Sequence, residues 1–469
     1  MAIAKPATRV ARRPAAELPF LSPPLIVAGS VGLAALAGGM IAIDSAKGVA
    51  LVLAVLFVPI AFANLPVGIA LWLPTTFLTA VGNLDMVCQG GAVVIAFAWL
   101  GQLRQRQAPL PRAVLVQGGI AAAFVLWLAL SLAWARDPSR ATTALTPWIV
   151  SAVLLVVVAT SNLDERGLRR VLASYVVGVV LSLAVGLLVG AQVQAEVSSA
   201  AYQQGRFQGA AGDPNYLAAV IVPAIALAAG LVSSSRTGSG QLGMALTIPV
   251  LAIGLVATES RGGLLAALVA MLLALLLARR GRAWLLGMIS LLVGTMAVWF
   301  ASSPEAWERV TSTADKGNGR DSLWRVAWEM AGDHSPLGVG IGNFSVVSPE
   351  YARSSGTLEY VTFIAERSHV VHNVYLQLLA EAGILGVGLF VLLAALSFTA
   401  CLQAVRLYER VGNVAMATLG RAAVVALGGG LTASFFISNG SDFQLWVLLA
   451  FGPALLAAAA SSTAREPSP

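Results

Sequence analysis

Long apolar runs recur along nearly the whole chain and constrain its fold more than any other feature. A membrane-spanning α-helix needs about 20 consecutive, mostly apolar residues. Runs of roughly that length lie at 24–43, 87–103, 113–134, 141–160, 171–190, 215–232, 242–257, 263–278, 283–301, 384–405, 419–437 and 445–460. Two shorter runs, 49–63 and 66–81, share a proline-containing break and form either two thin spans or one partly re-entrant element. The runs predict an all-α polytopic membrane protein with twelve to fourteen helices.

Composition supports this class. The 469 residues are 58% hydrophobic and 11% charged, whereas soluble domains carry about 25% charged residues. The net charge of +7 does not indicate a nucleic-acid partner, because the basic residues fall in short loops between the runs. Arginine-rich short loops face the cytoplasm in membrane proteins. Four such loops lie at 104–112, 166–170, 279–282 and 406–421.

The placement of these four loops in the cytoplasm predicts the organisation of the chain. The basic N-terminal segment lacks the pattern of a cleavable signal, so we expect a retained anchor with a cytoplasmic N-terminus. The predicted parts are a cytoplasmic tail (1–23), the N-terminal part of the helix bundle (24–301), a large periplasmic loop (302–371), the C-terminal part of the bundle (372–462) and a second cytoplasmic tail (463–469).

Three arginines lie on the predicted outer side. Arg206 is in an outer loop, Arg261 is in a tight turn between two spans, and Arg320 begins a helical stretch of the large loop. Snorkelling to phospholipid headgroups is the alternative role for Arg261, but Gly262 and Gly263 beside it would let a ligand approach the backbone. Charged groups are costly near hydrocarbon, so several arginines at one membrane face indicate a charged, lipid-linked substrate.

Two further features of the large loop are compatible with structural roles. Trp324 and Trp328 are spaced i, i+4, which is typical of an anchor at a membrane interface, and Trp324 shares a helical face with Arg320. The glycines of segment 335–344 imitate a dinucleotide-binding fingerprint, but no βαβ unit surrounds them. A turn that permits close backbone packing explains them better.

A histidine pair begins the next predicted helix. His369 and His372 are three residues apart and share a helical face, and Asn373 follows directly. A helix N-terminus disfavours a protonated imidazole, which suits a neutral general base. Helix capping is the alternative, and a zinc site is weakly supported because no third ligand is in register. Cys88 and Cys401 lie far apart in apolar segments, so we expect neither a disulfide nor a metal site from them.

Taken in order, these motifs resemble those of the O-antigen ligase family, within the wider group of bacterial lipid-linked polysaccharide ligases and polymerases. The resemblance covers residues from about 200 to 390. It rests on Arg206 with Pro214-Asn215, Ser260-Arg261-Gly262-Gly263, Arg320 with Trp324, the segment 336–344, His372-Asn373, and Glu381 with Gly383.

The resemblance implies a membrane glycosyltransferase of GT-C-like architecture, with about twelve transmembrane helices and one large periplasmic loop. It implies transfer of a glycan from undecaprenyl pyrophosphate to a sugar hydroxyl of lipid A–core, at the bacterial inner membrane and facing the periplasm. Neither metal nor other cofactor is expected, membrane lipids are expected as further partners, and nucleic acid is not.

The same resemblance implies roles for individual residues. Arg206, Arg261 and Arg320 would bind pyrophosphate, and His372 would act as the general base of an inverting displacement. The secondary candidates are His369, Asn373, Asn215 and Trp324. Two alternatives stay open: a polymerase that uses a second lipid-linked glycan as acceptor, and a transporter of lipid-linked sugars or small anions.

Overall fold

The structure, a computed structural model, describes residues 45–81, 84–105, 110–189, 206–235, 238–278, 282–302, 319–354 and 369–463. Every regular element within these ranges is an α-helix or a 3₁₀-helix. Nine helices of the described part are long and apolar enough to cross a membrane, and shorter apolar helices lie at 65–77, 261–277 and 289–298. The chain is thus an all-α polytopic membrane protein. The count of about twelve spans stays a prediction, since the run 24–43 and the tail 1–23 lie outside the described residues.

The α-helices are numbered in chain order. They are α1 (Ser45–Ala63), α2 (Leu65–Trp72), α3 (Leu84–Gln105), α4 (Arg112–Leu130), α5 (Pro138–Thr160), α6 (Glu165–Val189), α7 (Pro214–Ser234), α8 (Gly238–Ala257), α9 (Arg261–Leu277), α10 (Arg282–Ser302), α11 (Arg320–Asp333), α12 (Phe344–Ser354), α13 (Val374–Arg410), α14 (Val414–Ala433) and α15 (Phe443–Thr463). The chain divides into two compact units, residues 1–59 and 60–469. Of the first unit the structure describes residues 45–59, which all belong to α1. The second unit contains α2 to α15.

The break between the two short apolar runs falls at Asn64. Its side chain caps α2 by accepting a hydrogen bond from the amide of Val67 (3.2 Å), and Pro66 occupies the first turn. An asparagine cap followed by proline starts a new helix, because proline needs no partner for an amide in the first turn. The run 66–81 continues as a 3₁₀-helix, Leu73–Phe77.

The centre of the second unit is formed by α7, α14 and α15, which are buried along most of their length. Helix α7 packs against α8, α9 and α14, and α15 packs against α5 and α13. Close packing depends on small residues, as is usual between membrane helices. A Cβ on Gly429 of α14 would lie 2.8 Å from Val222 of α7 and 3.3 Å from Ala270 of α9.

Hydrogen bonds identify which helix ends lie together. At one end, Arg169 at the start of α6 donates to Ser234 at the end of α7, and Asn413 before α14 donates to Glu165 (2.7 Å). The starts of α7, α9, α13 and α15 lie at the other end, called here the site end. The predicted arginine-rich loops that are described, around 166–170 and 406–421, belong to the opposite end.

A small apolar core lies at the site end, between α11, α12 and the first part of α13. We call it the outer core; its fully buried members include Leu323, Val326, Met330, Phe344, Val371 and Ala380. Helix α13 is interrupted at Gly383, whose φ of 68° and ψ of −168° are not helical. The outer core therefore packs against a short helical segment that is set apart from the spanning part of α13.

Candidate active site

Arg206 joins the ends of three helices. Its Nε donates to the carbonyl oxygen of Thr258 after α8 (2.9 Å), and its Nη2 donates to Oδ1 of Asn215 in the first turn of α7 (3.0 Å). The hydroxyl of Ser260, which caps α9, donates to the same Oδ1 (2.9 Å). Two donors therefore occupy Oδ1 of Asn215. Its Nδ2 group is the part of the side chain that can donate a hydrogen bond to a ligand.

Local sequence places two helix N-termini at this point. Asp213 caps α7, since its Oδ1 accepts hydrogen bonds from the amides of Asn215 (2.7 Å) and Tyr216 (2.9 Å). Ser260 caps α9 by accepting from the amide of Gly263 (3.2 Å). Helix N-termini carry partial positive charge and favour anions, so both helices add to the positive potential around Arg206.

Arg261 is the first residue of α9, and the glycines after it have a packing role. A Cβ on Gly262 would lie 2.5 Å from Phe436, and one on Gly263 would lie 2.5 Å from Ala218. The expectation that these glycines leave the backbone open to a ligand is therefore wrong, because protein side chains already fill that space. Gly262 packs the start of α9, and with it Arg261, against the loop before α15, and Gly263 packs it against α7.

Arg320 is the first residue of α11 and lies close to Arg261 and Asp213. Burial lowers the pKa of Arg320, the nearby carboxylate of Asp213 opposes this shift, and the positive charge of Arg261 adds to it. A guanidinium stays charged in spite of such shifts. Two arginines and one aspartate share this space, which leaves an excess of positive charge suited to an anion.

His372 lies on the same side in a strained backbone conformation. Its φ is 54°, in the left-handed region that residues other than glycine rarely adopt. Its amide donates to the hydroxyl of Ser438 in the loop before α15 (3.0 Å). Asn373 then caps α13 by accepting from the amide of Leu376 (3.0 Å). Strain of this kind persists only where neighbouring contacts impose it, and it is concentrated at functional sites.

Burial, together with nearby positive charge, favours the neutral form of the His372 imidazole. Burial lowers the pKa of His372 to about 4, and Arg320 and His369 shift it the same way while Asp213 opposes them. A neutral imidazole can accept a proton, as the sequence-based role requires. His369, the second candidate, is thus one of the groups that act on His372 through space.

Trp324 links Arg320 to His372. Its indole Nε1 donates to the carbonyl oxygen of Val371 (3.0 Å), directly before His372, and its ring packs against the outer core. An interfacial anchor is therefore the wrong interpretation for Trp324, because its polar group is used inside the protein. Trp328, one turn later, has 67% of its surface exposed and fits the anchor role.

The glycine-rich turn fills the interruption of α13. The carboxylate of Glu381 accepts from the amides of Gly342 (3.0 Å) and Phe344 (3.2 Å), and its carbonyl oxygen accepts from Gly340 (2.8 Å). The amide of Ile384 donates to the carbonyl oxygen of Pro336 (3.1 Å). Buried backbone groups must be paired, and here the turn pairs the groups that the break at Gly383 releases from the helix.

Asn343 attaches this turn to the connection between α4 and α5. Its Oδ1 accepts from the amide of Asp137 (2.7 Å), and its Nδ2 donates to the carbonyl oxygen of the same residue (3.2 Å). Arg140 also donates to the hydroxyl of Ser345 (2.8 Å). The segment that resembles a nucleotide-binding fingerprint is therefore a structural connector.

The structure brings the candidates predicted from sequence to one end of the bundle. Arg206 and Asn215 are hydrogen-bonded, whereas Arg261, Arg320, His369 and His372 are related by their electrostatic effects. Sequence analysis missed the charge of Asp213, which acts on both Arg320 and His372 besides capping α7. It also missed Ser438, an isolated loop serine that carries no sequence signal. Within the described residues, no three His, Cys, Asp or Glu side chains are grouped to hold a metal ion.

Comparison with known families identifies the central part of the chain. Residues 246–391 match the family described as O-antigen ligase. The chain carries an O-antigen ligase domain. The matched segment includes Arg261, Arg320, His369, His372 and Asn373, whereas Arg206 and Asn215 precede it. Members of this family are membrane glycosyltransferase-like ligases that act on lipid-linked glycans. No curated protein matches the chain.

Proposed function

We propose that this protein is an O-antigen ligase, which transfers a glycan from undecaprenyl pyrophosphate to a sugar hydroxyl of lipid A–core. The observation that carries the proposal is the grouping of His372 with Arg320 and Asp213 at the site end, and of Arg320 in turn with Arg261. A phosphate-linked sugar donor needs cationic groups at its leaving group and a base at the acceptor. This cluster contains both.

In the proposed reaction the acceptor hydroxyl attacks the anomeric carbon of the donor glycan. His372 accepts the hydroxyl proton as the new carbon–oxygen bond forms. The bond from the anomeric carbon to the pyrophosphate oxygen breaks, and undecaprenyl pyrophosphate leaves with the electron pair. One direct displacement inverts the configuration at that carbon. General base catalysis typically contributes about 10²–10⁴-fold.

The arginines would bind the leaving group. Guanidinium groups bind phosphate oxygens through paired hydrogen bonds, and the N-termini of α7 and α9 would add partial positive charge. Arg206 is oriented by Thr258 and Asn215, so it would need little rearrangement on binding. Fixed donors at a site of developing charge are worth roughly 3–4 kcal/mol each.

The proposed location is the inner membrane of a bacterium, with the site end facing the periplasm. The arginine-rich connections at the opposite end support this orientation through the positive-inside rule. The predicted large periplasmic loop, 302–371, would then supply Arg320, the glycine-rich turn and most of the outer core. The reaction as proposed assigns no step to a metal or other cofactor.

A reconstituted transfer assay tests the proposal. Purified protein in liposomes receives undecaprenyl-pyrophosphate glycan with or without lipid A–core, in the presence of EDTA. We expect glycan on lipid A–core with wild-type protein and none with His372→Ala. His334→Ala is the matched control, because His334 is an exposed histidine at the end of α11, and it should retain activity. Both variants should unfold at the same temperature as the wild type.

Other outcomes separate the alternatives. Longer undecaprenyl-linked glycans that form without lipid A–core would identify a polymerase. Glycan that stays on its original carrier in every mixture, with folded protein, would contradict both enzymes and favour a transporter. Normal transfer by His372→Ala would remove the histidine from the mechanism.

A further inference from the structure

A large apolar cavity occupies the half of the bundle that lies away from the candidate site. It has a volume of about 750 Å³ and lies between α7, α8, α9, α10 and α14. Its position can be followed along α9, where Ala267, Ala270 and Ala274 line it, and to Ala278 at the C-cap of that helix. At 1.5 Å per residue, the lining starts about 9 Å from Arg261 and ends about 25 Å from it. The cavity is therefore separate from the cluster around His372.

The cavity is amphipathic along its length. Its deep part is lined by apolar residues such as Val222 and Val425, which come from the middle of α7 and α14. Its polar lining residues lie at the opposite end from the candidate site: Ser233, Gln241, Glu409, Thr418 and Arg421. Glu409 and Arg421 form an ion pair whose side chains are 22% and 19% exposed.

The cavity is partly open at its edge, so a lipid of the surrounding membrane can enter it. Even an enclosed apolar cavity of about 150 Å³ takes up apolar ligands. Water is a poor occupant because it needs several polar partners, and the deep lining offers few. A hydrocarbon chain can pack against the apolar deep part, and a charged headgroup can bind at the end where Glu409 and Arg421 lie.

We infer that this cavity binds a zwitterionic phospholipid, with an acyl chain between α7, α9 and α14 and its headgroup at the Glu409–Arg421 pair. Arg421 complements the lipid phosphate, and Glu409 complements an ammonium group such as that of phosphatidylethanolamine. The donor's polyprenyl chain fits less well. Its pyrophosphate would lie at the site end, so its uncharged tail end would meet the charged pair.

The bound lipid is a structural partner of the helix that carries Arg261. Because α9 lines the cavity along its second half, a chain in the cavity fills the space between α9 and α7. This inference does not depend on the reaction proposed above, since lipid binding is measured without transfer.

Native mass spectrometry of the protein released from mild detergent tests the inference. We expect wild-type protein to retain one phospholipid and, after delipidation, to take up phosphatidylethanolamine at least about tenfold better than phosphatidylglycerol, a difference of 1.4 kcal/mol. The double variant Ala229→Phe/Ala274→Phe fills the cavity and should lose at least about tenfold in uptake. Leu272→Phe/Leu276→Phe is the control, because both leucines are exposed on α9, by 52% and 78%, and it should bind like the wild type.

A second variant isolates the headgroup. Glu409→Gln/Arg421→Gln removes both charges without filling the cavity, so it should bind both phospholipids equally. The inference is overturned if wild-type protein retains no phospholipid or if the filled variant binds as much as the control. Displacement of the lipid by polyprenyl phosphate would assign the cavity to the donor's tail and would equally overturn it. Transfer activity of the filled variant is measured separately, so failure here leaves the proposed reaction unaffected.

Discussion

The two sides of the candidate site are held in place by different means. Arg206, Asn215 and Arg261 sit at the ends of spanning helices, where caps and backbone carbonyls fix them. Arg320 and His372 lie next to members of the outer core in sequence, and apolar packing, one indole hydrogen bond and a left-handed backbone fix this side. The bundle side resembles a preformed anion receptor. The outer side is a small packed assembly whose position depends on its connections.

This difference predicts how each side responds to change. Helix ends within a large bundle move little, so substitutions there should remove a charge without disturbing the rest. The outer core is joined to the bundle through the turn around Gly342, the interruption at Gly383 and the segment before Asn373. Substitutions in those connections should change the position of His372 without removing any group from the site.

After loss of His372, loss of Arg320 should have the largest effect on transfer. Arg320→Ala removes one fixed cation beside the proposed leaving group, and we expect kcat/KM to fall by about 10²–10³-fold. Arg320→Lys keeps the charge but loses the paired hydrogen bonds, so its activity should be intermediate. Arg325→Ala is the control because Arg325 is exposed on the same helix. Steady-state transfer with folded variants measures this. Equal activity of the Ala variants at 320 and 325 would show that the outer side contributes no binding charge.

Loss of Glu381 should loosen the connection between the two sides. Glu381→Ala leaves the buried amide of Phe344 and the half-buried amide of Gly342 without an acceptor, and a buried unpaired group costs about 1–3 kcal/mol. We expect a lower unfolding temperature and faster amide hydrogen exchange within 339–344. Glu381→Gln keeps one good acceptor oxygen and should show a smaller change. Unchanged exchange in the Ala variant would mean that the turn is held without the carboxylate.

The candidates predicted from the sequence lie together at one end of the bundle, and their sequence signals are local. Short segments reveal helix caps, such as Asp213 with Pro214, and arginines next to apolar runs. The alternation of spans then brings these residues to one side of the bundle. Three features were not predictable from the sequence. They are the interruption at Gly383, the hydrogen bond from Trp324 to Val371, and the hydrogen bond from His372 to Ser438. Each joins segments that are distant in sequence, so its existence depends on packing that hydropathy does not encode. The same holds for the cavity, which is lined by residues of six separate helices, α7 to α10, α13 and α14.

The pH dependence should distinguish the free site from the occupied one. In the free protein the pKa of His372 is lowered to about 4, so kcat/KM should fall only as the pH approaches that value. Bound pyrophosphate brings negative charge near the imidazole and should raise its pKa by roughly 1–3 units. The fall in kcat should therefore occur at higher pH than the fall in kcat/KM. Coincident profiles would mean that the donor's charges lie far from His372.

The same lowered pKa has a consequence for stability. The unfolded chain binds a proton on His372 below its ordinary pKa of about 6.5, whereas the folded protein does not until about 4. The free energy of unfolding should therefore decrease as the pH falls from 6.5 to 4. The His372→Ala variant lacks this titrating group, so it should lack this contribution to the decrease. Unfolding temperatures across the window measure the difference.

The smallest effect should come from the bond that links the arginine and histidine of the outer side. Trp324→Phe keeps most of the ring's packing but removes the donor to the carbonyl oxygen of Val371. A hydrogen bond of this kind contributes about 0.5–1.5 kcal/mol, so kcat should fall by no more than about tenfold. Trp328→Phe, on the exposed face of the same helix, should leave kcat unchanged. Equal kcat values for the two variants would mean that the outer core alone determines where His372 lies. The connection of His372 to Arg320 through the indole would then have no role in turnover.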